Sequence, residues 1–181
     1  MDIGQLLLAG VPAVASIGAA VTAGVFARRS RVAEAEAVRL RQLEERLSSK
    51  RVEMYEPLLE HMSALLMRNS NAAQHSEAVL SKFMGLVVVY GSDDVLAAFT
   101  RFRTASTSEP PGPVMMRLTA DLFAAIRQDL AGESNVSKVD LLGMRLNDIY
   151  STPGLVQALE EPFDDLCKRA GWTPPWPDRS N

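Results

Sequence analysis

Cysteine is nearly missing from this sequence: Cys167 is the only one. A lone cysteine excludes an intramolecular disulfide and fits a reducing compartment. Histidine is scarce as well, with only His61 and His75. Neither stands at metal-ligand spacing from the other or from Cys167, so no metal and no cofactor are expected. His61 reads as a surface residue. Gly-x-Ser-x-Gly, Walker and Gly-x-Gly-x-x-Gly patterns are all lacking. Asp164 and Asp165 are adjacent, and neighbouring helix positions face apart, which makes them a poor acid–base pair. They also precede Cys167, and nearby negative charge suppresses a thiolate. These gaps give the expectation of a protein that is not an enzyme. A helical hydrolase built on other carboxylates would need strongly perturbed groups gathered in a cleft.

Charge is absent from residues 3–26, a run that opens at Ile3 and closes at Phe26, and Arg28, Arg29 and Arg31 follow directly. At about 1.5 Å per residue such a run spans roughly 36 Å as a helix, more than a hydrocarbon core of about 30 Å. A cleaved signal peptide would need a positive opening and a shorter apolar run, whereas this chain opens Met1-Asp2. A buried core helix would be weakened in water by Gly4, Gly10, Pro12, Gly18 and Gly24. Lipid tolerates these residues better. A single transmembrane helix is therefore expected, with the lipid bilayer as its solvent. The arginines on its C-terminal side place the N-terminus outside and the remainder in the cytoplasm. Ala15, Ala19 and Ala23 recur every four residues, a spacing that lets two spans approach closely and suggests a homo-oligomer.

Glycine and proline are lacking from 30 to 56. That stretch is rich in Ala, Glu, Arg and Leu and predicts a helical stem. Ala33, Leu40, Leu47 and Met54 recur every seven residues and Leu43 follows Leu40 by three, the start of a coiled-coil seam. Glu36 and Lys50 interrupt the seam, so the other reading is a stem that packs one face on its own domain. Pro57 predicts a kink or break.

Net charge is −3. Residues 28–51 are basic and the positions from Val52 onward are acidic. An acidic distal part argues against nucleic acid as a partner, and a basic stem suits an anionic lipid face.

No strand candidate finds a partner beyond the stem. Leu86 to Tyr90 is β-branched enough to be a strand, but its apolar spacing extends back to Val79 and predicts a helix over 72–90. Gly91 stops it and Ser92 caps the next helix, with Val95, Leu96, Phe99 and Phe102 inward. A helix over 114–130 follows, with Arg117 and Asp121 paired outward. Ser137 to Asp140 forms a capping box, leading a helix that turns Leu142, Leu146, Ile149 and Tyr150 inward. Thr152-Pro153 opens a last helix, interrupted at Pro162 and closed near Gly171. The expected organisation is all-α: an anchor with a basic stop (1–29), a stem (30–56), a helical bundle (57–171) and a Pro/Trp tail (172–181).

Three segments carry a resemblance: Lys50-Arg51-Val52-Glu53-Met54-Tyr55-Glu56-Pro57-Leu58-Leu59, Tyr90-Gly91-Ser92-Asp93-Asp94-Val95 and Ile126-Arg127-Gln128-Asp129-Leu130. They are similar to segments of a loose group of bacterial single-pass membrane proteins. The resemblance implies an anchor, a cytoplasmic helical module and no activity to transfer. Within those segments Arg51, Glu53, Tyr55, Glu56, Arg127 and Asp129 form a candidate polar network where stem meets bundle; otherwise they are solvated surface charges. The expected role is a membrane-anchored interaction or scaffold module with a protein partner. The alternative is a sensor that binds a small ligand in the bundle.

Overall fold

The computed structural model describes the backbone of residues 3–67 and 76–177, and the side chains of the first helix at Arg31 and from Glu34 onward. The start of the helix expected over 72–90 and the reading at His75 lie outside the described residues. So do the side-chain readings at Ile3, Ala15, Ala19, Ala23, Phe26, Arg28 and Arg29.

Among the described residues seven helices follow in order: α1 (Ile3–Leu66), α2 (Ser76–Tyr90), α3 (Asp93–Ser106), α4 (Gly112–Ala131), α5 (Lys138–Gly143), α6 (Leu155–Glu160) and α7 (Phe163–Ala170). There is no strand among the described residues, and Leu86 to Tyr90 is helical. Among the described residues no helix is long and apolar enough to cross a membrane; the side chains of 3–26 are not among them.

The chain divides into two units, Met1–Leu47 and Ser48–Asn181. In the first, Leu40, Leu43 and Leu47 are exposed. The second holds the core. Residues 48–56, read from sequence as the end of the stem, belong to it, and Met54 and Tyr55 are buried there with Leu58 and Met62. That spacing of three to four puts one face of α1 against its own bundle.

The helix does not break at Pro57, since α1 is assigned without interruption to Leu66. A mid-helix proline costs a backbone bond. Burial of Tyr55, Leu58 and Met62 on either side of it offsets that loss at about 1.5–3 kcal/mol per large apolar side chain. Within the core Phe83 of α2 meets Phe99 of α3 edge-on at 4.7 Å and Tyr55 of α1 at 6.1 Å.

The α2–α3 corner follows local chemistry. The Gly91 amide donates to the Val87 carbonyl at 3.0 Å. A Cβ on Gly91 would lie 2.6 Å from Val87 Cγ2 and 2.9 Å from Val87 O, so only glycine fits. Ser92 Oγ then accepts from the Val95 amide, with Asp93 and Asp94 in the first turn of α3. Val95, Phe99 and Phe102 are buried as expected, but Leu96 remains exposed.

The long helix α4 packs against α3, α5, α6 and α7 and is the axis of the second unit. Val114, Leu118, Leu122 and Ile126 form its buried stripe. The Ser137 capping box is present in both directions, with Asp140 N donating to Ser137 Oγ at 3.0 Å. The helix it starts is shorter than expected. It closes at Gly143 and gives way to turns, where the Asp148 carbonyl accepts from the Ser151 and Thr152 amides at 3.0 and 2.9 Å. Ile149 is buried, but Tyr150 points to solvent. The Thr152 hydroxyl also donates to that carbonyl, so it does not cap the next helix. The cap falls to Gly154 at φ 72°, a left-handed value that glycine adopts without a Cβ clash.

Pro162 separates α6 from α7, and Gly171 ends α7 at φ 63°. The Trp172 amide reaches back to the Cys167 carbonyl at 3.0 Å, which turns the tail onto the bundle. There Trp176 stacks on Phe163 at 6.1 Å and meets Trp172 edge-on at 5.8 Å.

Candidate functional site

Two buried polar clusters organise the second unit. The first joins α1 to the ends of α2 and α4. Tyr55 is fully buried, and its hydroxyl donates to Asp129 Oδ2 at 2.5 Å. Arg51 lies one helical turn earlier on the same face. It pairs with Asp129 Oδ1 at 3.2 Å and donates from Nε to the Tyr90 carbonyl at 2.9 Å. That carbonyl belongs to the last turn of α2, where backbone acceptors lack helical partners. The cluster therefore satisfies a helix terminus, a buried carboxylate and a buried phenol together.

Of the six residues singled out in sequence, the structure brings Arg51, Tyr55 and Asp129 into one cluster. Glu53 pairs instead with Lys50 at 2.6 Å on the surface, where ion pairs contribute little. Arg127 turns away to donate to Ser134 Oγ at 2.8 Å, and Glu56 is exposed.

Burial, and then the Asp129 carboxylate, push the Tyr55 phenol well above its ordinary range, with Arg51 pulling weakly the other way. The folded state thus holds a proton that the unfolded chain releases near pH 10, roughly the free tyrosine value. The stability from this group is intact below that pH and falls as pH rises above it. Urea midpoints at pH 9 and pH 11, about one unit either side of that value, should drop further in the native chain than in Tyr55→Phe. Equal drops would show that Tyr55 is not held neutral.

Of the second cluster, the sequence gives only the Arg117–Asp121 pair. Arg117 was expected to face outward with Asp121. The pair exists, at 3.1 and 3.2 Å from Nε, but Arg117 is buried. Its guanidinium donates to the Ala158 carbonyl at 3.2 Å and the Glu161 carbonyl at 2.5 Å, at the C-terminal end of α6. Asp121 also takes Lys138 Nζ at 2.5 Å, which ties α5 into the same cluster. The signal was available: Arg117 and Asp121 border the stripe Val114, Leu118 and Leu122. Glu161, next to these carbonyls, pairs with Arg169 of α7, whose Nε donates at 3.2 Å. That bond, with the nearby positive charge, holds the Glu161 carboxyl below its ordinary value.

His61 is buried, not superficial, with Nε2 2.9 Å from Ser76 Oγ. Cys167 is a buried thiol pushed up by burial first and by Asp164 second. Every buried side-chain nitrogen or oxygen among the described residues has a partner. No group of three metal-ligating side chains occurs among the described residues.

Two grooves among the described residues bear on ligand binding. One, of about 290 Å³, is mainly apolar and runs between α1 and α2, lined by Met54, Pro57, Leu58, Val79 and Phe83. The other, of about 630 Å³, lies between α3 and the tail, lined by Asp93, Arg101, Phe163, Asp164 and Trp176. No family model matches the chain, and neither a curated protein nor a solved structure matches it.

Proposed function

We propose that this chain is a non-enzymatic, membrane-anchored interaction module. One helix crosses the bilayer, and the helical bundle is displayed on the cytoplasmic side. The observation that carries this reading is the charge-free run of residues 3–26 followed at once by Arg28, Arg29 and Arg31. Length selects a span, and the one-sided arginines select the direction. The non-enzymatic part draws support from the commitment of the buried polar groups. Arg51, Tyr55 and Asp129 satisfy one another, as do Arg117, Asp121 and Lys138. Both clusters bind helix to helix, and Cys167 is held as a thiol.

Epitope tags at either terminus test the direction. Protease added to intact cells should remove an N-terminal tag and spare a C-terminal one. Loss of the C-terminal tag would reverse the topology.

A ligand sensor is the second reading, and the groove between α3 and the tail favours it. Its volume of about 630 Å³ suits a small molecule. It comes second because Phe163 and Trp176, its aromatic wall, already stack on each other, and Asp93 and Arg101 face solvent.

A further inference from the structure

We infer that the partner of the stem is a second copy of this chain, joined in parallel through Leu40, Leu43 and Leu47 with crossed Arg39–Glu44 ion pairs. The inference rests on the anchored reading, which sets two copies side by side with the same direction.

Among the described residues, the first unit presents an exposed apolar face. Leu40 is 61% exposed, and Leu43 and Leu47 are each 46% exposed. Their spacing of three and four residues is that of alternate core positions in a two-stranded coil. With Leu40 and Leu47 at the first core position of the heptad and Leu43 at the second, Arg39 and Glu44 fall on the flanking positions. In a parallel pair each such residue faces the one five places later on the other helix. Arg39 of one copy then meets Glu44 of the other, and symmetry makes the contact twice. Charge complementarity thus selects a copy of the same segment in parallel register.

The sequence also explains where the seam stops. Lys50 takes the next core position, and Arg46 would face Arg51 of the second copy. Like charges at flanking positions oppose pairing, and Arg51 is engaged by Asp129 and the Tyr90 carbonyl. In the other direction, steps of seven from Leu40 reach Ala33, Phe26 and Ala19. The register is therefore shared with the apolar run, all within the helix α1. A seam of one heptad is too short to hold two free chains, because stable coils need about three or four. Tethering in one membrane supplies the effective concentration that the short seam lacks.

Single cysteines test the register in the full chain, in isolated membranes treated with a mild oxidant such as copper phenanthroline, with the buried Cys167 left in place as background. Leu40→Cys, Leu43→Cys and Leu47→Cys should form disulfide dimers about tenfold faster than Val38→Cys and Glu45→Cys, which sit on the opposite face. In the Leu43→Cys chain, Arg39→Glu or Glu44→Arg alone should slow cross-linking severalfold, and the two together should restore it. Equal rates at all five positions, or a double reversal that stays slow, would overturn the inference. Recovery of each chain in the membrane fraction is scored in the same samples. A chain that leaves the membrane yet keeps the periodic cross-linking counts against the anchor and not the seam. A membrane-bound chain without periodicity counts against the seam alone.

Discussion

Asp129→Ala should lower the stability of the second unit by about 3 kcal/mol, a large share of the roughly 5–15 kcal/mol typical of a domain. The side chain of Asp129 is only 5% exposed and answers two donors, Tyr55 and Arg51. Its loss leaves the Tyr55 hydroxyl buried without an acceptor, at about 1–3 kcal/mol. It also strands the Arg51 charge. Arg51 is 33% exposed, so water screens part of that cost and the total falls toward the lower end for a broken buried pair. Asp129→Asn should cost less, because its amide oxygen can still accept from Tyr55. Tyr55→Phe should cost least, about 1 kcal/mol, since it removes the donor and leaves the carboxylate its arginine. Urea unfolding of the full chain, followed by the fluorescence of Trp172 and Trp176, reads all three. The opposite order, with Tyr55→Phe the worst, would mean that ring packing governs this position and the polar cluster does not.

Arg117→Leu should cost about 3 kcal/mol by a different route. Asp121 keeps Lys138 when Arg117 is gone, so the ion pair is the smaller loss. The carbonyls of Ala158 and Glu161 lose their donor at the end of α6, where intrahelical partners are already lacking. Helix α6 has six residues and cannot hold itself together without such tertiary bonds. Arg117→Lys should recover only part of the loss, because an ammonium cannot reproduce the planar fork that reaches two carbonyls and a carboxylate together. The expected signature is a lower urea midpoint for both variants, leucine below lysine. A leucine variant within about 0.5 kcal/mol of the native chain would place this arginine among ordinary surface residues.

The features legible in sequence are those set by neighbours along the chain. Gly91 ends a helix because a Cβ there strikes Val87, and Ser92 starts the next because its hydroxyl reaches an amide three residues on. The Ser137 box and the interruption at Pro162 belong to the same class. What escaped depends on partners distant in sequence. Pro57 passes through α1 because the side chains around it are buried against the bundle. Arg117 turns inward because carbonyls more than forty positions away await a donor, the separation to Ala158 being 41 residues. Tyr150 points outward because the turns after Gly143 reset the helical phase. The polar cluster falls between these cases. Arg51 and Tyr55 share a helix face, which spacing gives directly, but the choice of Asp129 as their acceptor is tertiary.

Lipid as the solvent of residues 3–26 is the claim on which topology and partner both depend. Washing isolated membranes with alkaline carbonate tests it most directly, because that treatment strips peripheral proteins and leaves spanning ones. The full chain should remain in the pellet until detergent is added, and a variant beginning at Arg28 should appear in the supernatant. Recovery of the full chain in the supernatant without detergent would contradict the anchor.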